Sequence, residues 1–409
     1  MNAARMIAVT EARARILAAI PANRPVETIA LGEACGRTLA TDLAAKRTQP
    51  PVAMSAMDGY AVRATDTANP LVRLKQIGES TAGCGFKGVV GREETVRIFT
   101  GAPVPNGSDA VLIQENARLE DGVVIPLETV ASGKNIRAAG IDFSAGDILF
   151  NGGMRLTPAN IGLAAAMNYA EVMVVKPPRI AILATGNELV PPGAEPLPDQ
   201  IIASNSFAIN ALVRNAGGEP RDLGIARDET VSLDQSIDAA RQIGADVLVT
   251  IGGASVGDYD LVGPLLRKHG MEVDFWKIAM RPGKPLMHGK LGDMTVLGLP
   301  GNPVAAIITG LIFLRPLVRA LCGDKEAASD QNEAAILGKP LRANDGRQDF
   351  LRAALQKGEM SLPVAMPFDV QDSSLLSVFA KSQCLVVREP HAPAAEAGDH
   401  CRIMRLRFC

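Results

Sequence analysis

Aromatic side chains are scarce, at 4% of the 409 residues with a single Trp. A chain this poor in rings offers no series of stacking platforms for nucleic-acid bases. An excess of one charge is missing too. The 42 Lys and Arg face 44 Asp and Glu, for a net charge of −2 and no long run of either sign. Bulk attraction to nucleic acid or to a membrane surface is therefore not indicated, and an anionic substrate must be held by local groups. The six cysteines, Cys35, Cys84, Cys322, Cys384, Cys401 and Cys409, form no Cys-x-x-Cys pair and no zinc spacing, which reads as reduced thiols in a cytoplasmic protein. With four histidines and no His-Glu-x-x-His, a zinc hydrolase is disfavoured. There is no Walker loop and no Gly-x-Ser-x-Gly elbow, and the glycines at 252, 253 and 257 do not fit the dinucleotide fingerprint. The N-terminus is charged too early for a signal peptide. The most apolar helix-like stretch, 305–314, is cut off by Arg315 and Pro316, short of the ~20 residues a bilayer requires.

What is present begins with the stretch 246–260. Val247 to Ile251 is an apolar, β-branched run suited to a buried strand, and Gly252, Gly253 and Gly257 let the backbone turn and approach a ligand. Asp258 and Asp260 follow at once. At 409 residues the chain is long enough for two to four domains. Residues 5–20 predict a helix with one apolar stripe, including Ile7, Ile16 and Ile20, that stops before Pro21. From Leu71 to about Leu127, short alternating runs separated by Gly, Pro and Asn predict a small β domain. Residues 144–178 are Gly-rich and then helical, ending at the linker signal Pro177-Pro178. Arg179 to about Cys322 alternates strands (180–184, near 222–225, 247–251, 273–279, 295–299) with helices (about 205–216, 230–243, 260–268 and 303–320). That order predicts a mostly parallel, doubly wound sheet with helices on both faces. From about Ala327 the turn-rich texture predicts a small β-barrel or sandwich.

In the α/β region each unusual polar or glycine-rich stretch directly follows a predicted strand. These are Thr185-Gly-Asn-Glu188, Arg227-Asp228, Ser255 to Asp260, Arg281-Pro-Gly-Lys284 and Pro300-Gly301-Asn302-Pro303. In a parallel sheet all five converge on one edge, where open α/β sheets bind ligands. Lys277, Arg281 and Lys284 place three cations in a short stretch, which suits phosphate or another oxyanion; as solvated surface charges they would not need so rigid a backbone. Asn302 as helix cap and Pro303 at the first helical position would leave backbone N–H groups free for an anion, or simply cap a helix. Glu188, Asp228, Asp258 and Asp260 are oxygen donors of the kind Mg²⁺ takes, and also ordinary turn residues. The residues alone thus describe a pocket for a phosphorylated small molecule and a divalent cation, with the reaction open.

Ser55-Ala-Met-Asp-Gly-Tyr-Ala, Thr100-Gly-Ala-Pro-Val-Pro-Asn-Gly-Ser-Asp-Ala-Val, Thr185-Gly-Asn-Glu, Gly252-Gly-Ala-Ser-Val-Gly, Arg281-Pro-Gly-Lys-Pro, Pro300-Gly-Asn-Pro-Val and Gly346-Arg-Gln-Asp-Phe-Leu-Arg-Ala occur in this order along nearly the whole chain. Together they resemble the MoeA family of molybdopterin molybdenumtransferases, which includes the gephyrin E domain. The resemblance implies a multidomain α/β plus β protein. Its first domain, elongated and dimerising, comprises 1–46 and 144–178, and an inserted β-rich second domain comprises 47–143. A molybdopterin-binding α/β third domain covers 179–326, and a C-terminal β-barrel covers 327–409. The resemblance also implies a homodimer in which the second domain faces the partner's third and fourth.

The implied reaction takes adenylylated molybdopterin and molybdate, releases AMP with Mg²⁺ help, and leaves molybdenum on the dithiolene sulfurs. Handover from an adenylyltransferase and to apo-molybdoenzymes would follow. By position, Asp58 and Thr100 would face the partner's pocket, with Asp142 a further matched acid. Glu188, Asp228 and Asp260 would manage metal, phosphate and water, while Lys277, Arg281 and Lys284 would hold phosphate or molybdate. Thr185, Gly252, Gly253, Ser255, Pro300, Gly301, Asn302 and Pro303 would line the substrate. Three positions depart from the family pattern: Arg281 where lysine is common, Ala305 for a frequent serine, and Asp372-Ser-Ser for a Gly-Ser-Gly-like turn. Two other readings remain at this point. One is a molybdopterin adenylyltransferase or related nucleotide enzyme, against which the motifs at 55–61 and 100–111 argue. The other is a non-catalytic, gephyrin-like scaffold, against which the retained acids argue.

Overall fold

The computed structural model describes residues 6–21, 23–253, 261–358 and 362–406. Its centre is a six-stranded sheet in which Glu219–Ala226, Arg179–Thr185, Val247–Ile251 and Met294–Leu299 run parallel, in that spatial order. Pro285–Leu291 then pairs antiparallel with Met294–Leu299, and Glu272–Lys277 antiparallel with Pro285–Leu291. Two reversals restore the direction, so Glu272–Lys277 again points the same way as the four parallel strands. The strand Pro285–Leu291 lies where the sequence reading has none. The predicted strand 273–279 stops at Lys277, and Met280–Arg281 instead joins a different sheet.

All five residues of Val247–Ile251 are buried, as expected for a strand covered on both faces. One face packs against the helices Asn205–Ala216 and Pro303–Thr309, and the other against Thr230–Gln242 and Val262–Lys268. The helical path from Pro303 to Leu321 does not break at Arg315-Pro316 but passes through a π-helical turn at Gly310–Leu314. This 19-residue stretch is long and apolar enough to cross a membrane, yet 83% of its apolar window is buried inside the protein. It is the core helix of the α/β unit, and its hydrophobicity is satisfied by packing.

The first helix, Val9–Ala18, buries Val9, Ala12 and Ile16 in that same core, whose other members begin only at Ile180. Burial of a side chain such as Ile16 stabilises by roughly 1.5–3 kcal/mol. After it, Val26–Ala30 pairs antiparallel with Glu171–Val175, and Leu43–Ala44 with Ile148–Phe150. The segment between 47 and 143 thus leaves and re-enters a small core built on Leu31, Leu39, Phe150, Leu156 and Val174. The excursion carries its own six-stranded sheet, from Gly59–Val62 and Leu74–Ser80 to Val123–Pro126.

In the C-terminal region Gln348–Gln356, Val364–Pro367, Asn332–Leu337, His400–Arg405 and Cys384–Arg388 pair in sequence around a ring, and the last pairs back to the first. That closed five-stranded barrel leaves no open edge within the ring.

Candidate functional site

The carboxyl ends of the α/β strands form one wall of a cavity of about 790 Å³. Thr185, Gly186 and Glu188 reach it from the end of Arg179–Thr185, and Asp228 from Glu219–Ala226. Gly252 and Gly253 come from Val247–Ile251, and Pro300 to Pro303 from Met294–Leu299. Three of the five predicted stretches, 185–188, 227–228 and 300–303, therefore meet in this one space beside Gly252 and Gly253, and Pro285, next to the stretch 281–284, borders it. Ser255, Asp258 and Asp260 lie outside the described residues.

The glycines are needed where the strands close up. Gly252 has φ +90°, and a Cβ there would stand 2.6 Å from the Thr185 carbonyl oxygen. A Cβ on Gly186 would stand 2.5 Å from a Glu188 carboxylate oxygen. Any side chain at either position would push a lining group out of place.

Glu188 and Asp228 form the acidic side. The Asp228 carboxyl is pushed above the usual aspartate range by burial first and then by the negative charge of Glu188, while the peptide group of the loop works the other way. The Asp228 N–H donates to Asn187 Oδ1 at 3.1 Å, which fixes its turn against the Thr185–Glu188 loop. A buried carboxyl raised beside a second carboxylate is the donor chemistry a hard divalent cation relieves. Among the described residues no cluster of three or more His, Cys, Asp or Glu reaches metal-binding geometry, so the described residues supply at most part of a shell here.

At Pro303–Thr309 the sequence expectation holds in position and changes in chemistry. Asn302 is the N-cap residue and Pro303 opens the helix, but the Asn302 side chain makes no cap hydrogen bond. Its Nδ2 donates instead to Ser373 Oγ at 2.9 Å. The Val304 N–H, expected to be free for an anion, donates to the Ser373 carbonyl at 3.0 Å. This helix start is thus docked on the C-terminal barrel's 372–374 turn, which also delivers Ser374 to the cavity. Asp372 accepts both the Ser374 hydroxyl and N–H, and these bonds hold its carboxyl below the usual range. Ala305 is buried within the helix.

Arg352, which the sequence pattern does not single out, lies beneath the same turn. It is 1% exposed, and its Nε and Nη1 have no hydrogen-bond partner. Burial pushes its guanidinium down, and the Asp372 charge opposes that shift. Its backbone holds the same turn, since the Arg352 N–H donates to Gln371 Oε1 at 2.9 Å. The signal was available in Asp349-Phe-Leu-Arg352. In a strand, Phe350 and Arg352 share one face, and Phe350 belongs to the α/β-side core while Ala353 belongs to the barrel interior.

The cationic stretch is bound on both flanks. The Ala279 N–H donates to the Ile7 carbonyl at 2.8 Å, and the Gln348 N–H donates to the Ala279 carbonyl at 2.9 Å. Arg281 pairs with Asp345 and Asp349. Among the described residues, Lys277 and Lys284 have no ion-pair partner, and neither lines the cavity.

Asp58, Thr100 and Asp142 lie in the excursion and its return, and no described residue before Ala184 lines the cavity. Asp58 Oδ1 accepts the Thr100 N–H at 2.7 Å and its hydroxyl at 2.8 Å. These bonds first, and least the nearby Arg97 charge, hold the Asp58 carboxyl below the usual range against an opposing effect of desolvation. Asp142 is exposed, and its N–H donates to the Gln49 carbonyl at 3.1 Å.

Comparison with known proteins accounts for the three parts together. Residues 7–168 match the MoeA N-terminal region (domain I and II), 181–320 a "Probable molybdopterin binding domain", and 334–406 the MoeA C-terminal region (domain IV). The chain is 36% identical over 395 residues to the molybdopterin molybdenumtransferase of Haemophilus influenzae, covering 96% of this chain and 97% of that protein. Against the molybdopterin molybdenumtransferase of Bacillus subtilis it is 33% identical over 392 residues, covering 93% and 90%. The crystal structure of the molybdopterin biosynthesis MoeA protein from Pyrococcus horikoshii OT3 superposes with a TM-score of 0.85 at 25% identity, over 98% of this chain and all of that one. A likeness that runs end to end, through the excursion and the barrel as well as the α/β unit, means that the chain belongs to the MoeA family.

Proposed function

We propose that this protein is a molybdopterin molybdenumtransferase of molybdenum cofactor biosynthesis, acting on adenylylated molybdopterin and molybdate and releasing AMP. The observation that carries the reading is the make-up of the 790 Å³ cavity: a carboxylate pair and a glycine-lined floor from the α/β strand ends, closed by the barrel's Ser374 turn with buried Arg352 behind it. Such a layout would keep a site for cation and phosphate apart from a site for an oxyanion. A nucleotide enzyme built on the α/β domain alone would need neither the barrel nor the excursion.

Glu188 and Asp228, with Asp260, would hold Mg²⁺, which offsets phosphate charge and polarises the bond to be broken. Without a cation Asp228 holds its proton more tightly than an ordinary aspartate, a cost that Mg²⁺ bound to the ionised carboxylate would relieve. Gly252, Gly253 and Gly301 let the backbone approach the substrate phosphates, and Thr185 and Asn302 frame them. Arg352, with two unpartnered nitrogens, would hold molybdate near the dithiolene, helped by Lys277 and Lys284. A site that brings an oxyanion to a phosphorylated substrate needs such cations, because the two repel in a low-dielectric cleft.

The Asp58–Thr100 pair would complete the cavity of a second copy in a homodimer. An ionised, pre-oriented carboxylate outside the cavity of its own chain supports that arrangement. The apolar helix Pro303–Leu321 is packed inside the protein, which supports a cytoplasmic enzyme that passes its product to apo-molybdoenzymes. The test is to incubate the purified protein with adenylylated molybdopterin, molybdate and Mg²⁺ and follow AMP and reconstitution of an apo-molybdoenzyme. AMP release that depends on molybdate is expected; its absence overturns the reading.

A further inference from the structure

The helix Asn205–Ala216 is closed at one end and open at the other. At its C-terminus the Gly217 and Gly218 N–H groups donate to the Arg214 and Val213 carbonyls, and Arg155 Nη2 donates to the Asn215 carbonyl at 2.7 Å. The N-terminus has no such closure. Among the described residues the N–H groups of Asn205, Ser206 and Phe207 meet no acceptor, and the first helical bond runs from the Ala208 N–H to the Ser204 carbonyl at 3.4 Å. A serine at the N-cap ordinarily accepts one of those N–H groups, yet the Ser204 side chain makes no cap hydrogen bond.

This open end borders the 790 Å³ cavity, which Ser204, Asn205 and Ser206 all line. It is held there from two sides. Ile201–Ile202 pairs with Leu189–Val190, just beyond the Thr185–Glu188 loop, and Asn205 Nδ2 donates to the Gly301 carbonyl at 2.6 Å. Ser206 supplies a second and independent sign of a ligand. It is 5% exposed, and although its carbonyl accepts from Asn210 Nδ2 at 2.7 Å, its hydroxyl has no hydrogen-bond partner among the described residues. A hydroxyl so far withdrawn from bulk solvent finds its partner in the cavity it lines.

We propose that the N-terminus of Asn205–Ala216 binds a phosphate group of the substrate, held by the Ser204 and Ser206 hydroxyls and the free N–H groups of the first turn. Those N–H groups lie at the positive end of the helix dipole, where an anion is favoured. The assignment rests on the reading of this cavity as the substrate site. Glu188 and Asp228 line the same space, so a substrate with two phosphate groups meets a place for a cation and a place for an anion together.

Titration calorimetry of the full chain with inorganic phosphate, in the absence of Mg²⁺ and molybdate, tests it beside thermal unfolding. The native chain should bind phosphate, and Ser206→Ala should weaken that binding at least about tenfold with little change in Tm. Ser204→Asp places a fixed carboxylate at the helix start, which favours the helix and repels the ligand. Its Tm should hold or rise while phosphate binding is lost, a divergence that a purely structural role would not produce. AMP and adenosine identify the source of the group. Displacement of phosphate by AMP and not by adenosine assigns the site to the nucleotide's phosphate, and simultaneous binding of AMP and phosphate assigns it to the phosphate on the pterin side. A native chain that binds no phosphate, or variants that bind it as the native chain does, would overturn the proposal. Phosphate binding that Ser206→Ala weakens, in a chain without molybdate-dependent AMP release, would keep this site and overturn the transferase reading alone.

Discussion

Arg281 donates to Asp349 at 3.3 Å, and this bond ties the cationic loop of the α/β unit to the first long strand of the barrel. A second Arg281 nitrogen reaches Asp345, which also takes Arg347 at 2.8 Å. Beneath the side chains, Met280–Arg281 pairs in parallel with Gln348 and Asp349. A lysine here would offer a single point charge, whereas arginine can span two carboxylates. The extra donor geometry in this chain is spent between domains.

A double-mutant cycle should show this. Arg281→Gln and Asp349→Asn should couple in unfolding free energy by about 0.5–1 kcal/mol. In steady-state assays, Arg281→Gln should raise the KM for molybdate less in the Asp349→Asn background than in the native chain. Equal rises in both backgrounds would instead make Arg281 a direct oxyanion ligand.

The acidic side makes a second prediction, with a defined sign. Because the folded state raises the Asp228 carboxyl, it binds the proton more tightly than the unfolded chain. The group therefore favours folding at low pH, and that advantage is lost as pH rises from the ordinary aspartate value through the raised one. Asp228→Asn should leave the metal-free protein as stable or more stable at pH 7, by up to about 1 kcal/mol. In the native chain the Mg²⁺-induced rise in Tm should grow with pH over the same window, since the cation takes the ionised form. Scanning fluorimetry from pH 4 to 8 with and without MgCl₂ checks both, and a full Mg²⁺ response in Asp228→Asn would remove this residue from the metal site.

The edge where the site forms was legible because glycine, proline and acid stretches follow apolar runs one after another in sequence. The strand Pro285–Leu291 was not. Its Met-His-Gly-Lys interior breaks the apolar run, and the missing strand concealed the two reversals that bring Lys277 back to the active edge. Packing across long separations was equally hidden. Nothing near Ile16 announces that it fills the α/β core, and nothing near Asn302 announces that a barrel serine takes its side chain. Arg352 escaped for a related reason. An arginine in a strand reads as solvent-facing until the barrel is docked against the helices.

Arg352 supplies a third prediction. A buried guanidinium with two orphaned nitrogens costs stability unless an anion answers it. Arg352→Met keeps the length of the side chain and removes the charge. The variant should be stabilised by about 1 kcal/mol or unchanged in the absence of oxyanion. It should raise the KM for molybdate at least about tenfold, equivalent to 1.4 kcal/mol. Equilibrium dialysis against molybdate, beside a denaturant titration, separates the two effects. A variant that is strongly destabilised yet binds molybdate normally would make Arg352 a purely structural residue.

Asp58 and Thr100 provide the last. Thr100→Val removes the hydroxyl and keeps the backbone N–H, so the Asp58 carboxyl should move part of the way back up toward the usual range, as read by carboxyl NMR. In the native chain this lowered carboxyl stabilises folding above the ordinary aspartate value and loses that contribution as pH falls through its own. Its proposed task can be tested by mixing chains. If the pair serves a partner's cavity, Asp58→Ala and Asp228→Ala homodimers should both release AMP slowly. In a mixed dimer one cavity carries both substitutions and the other carries neither, so the rate should recover to about half the native value per dimer under two-fold symmetry. If Asp58 instead served its own chain, each cavity in the mixed dimer would keep one defect and no recovery would be seen.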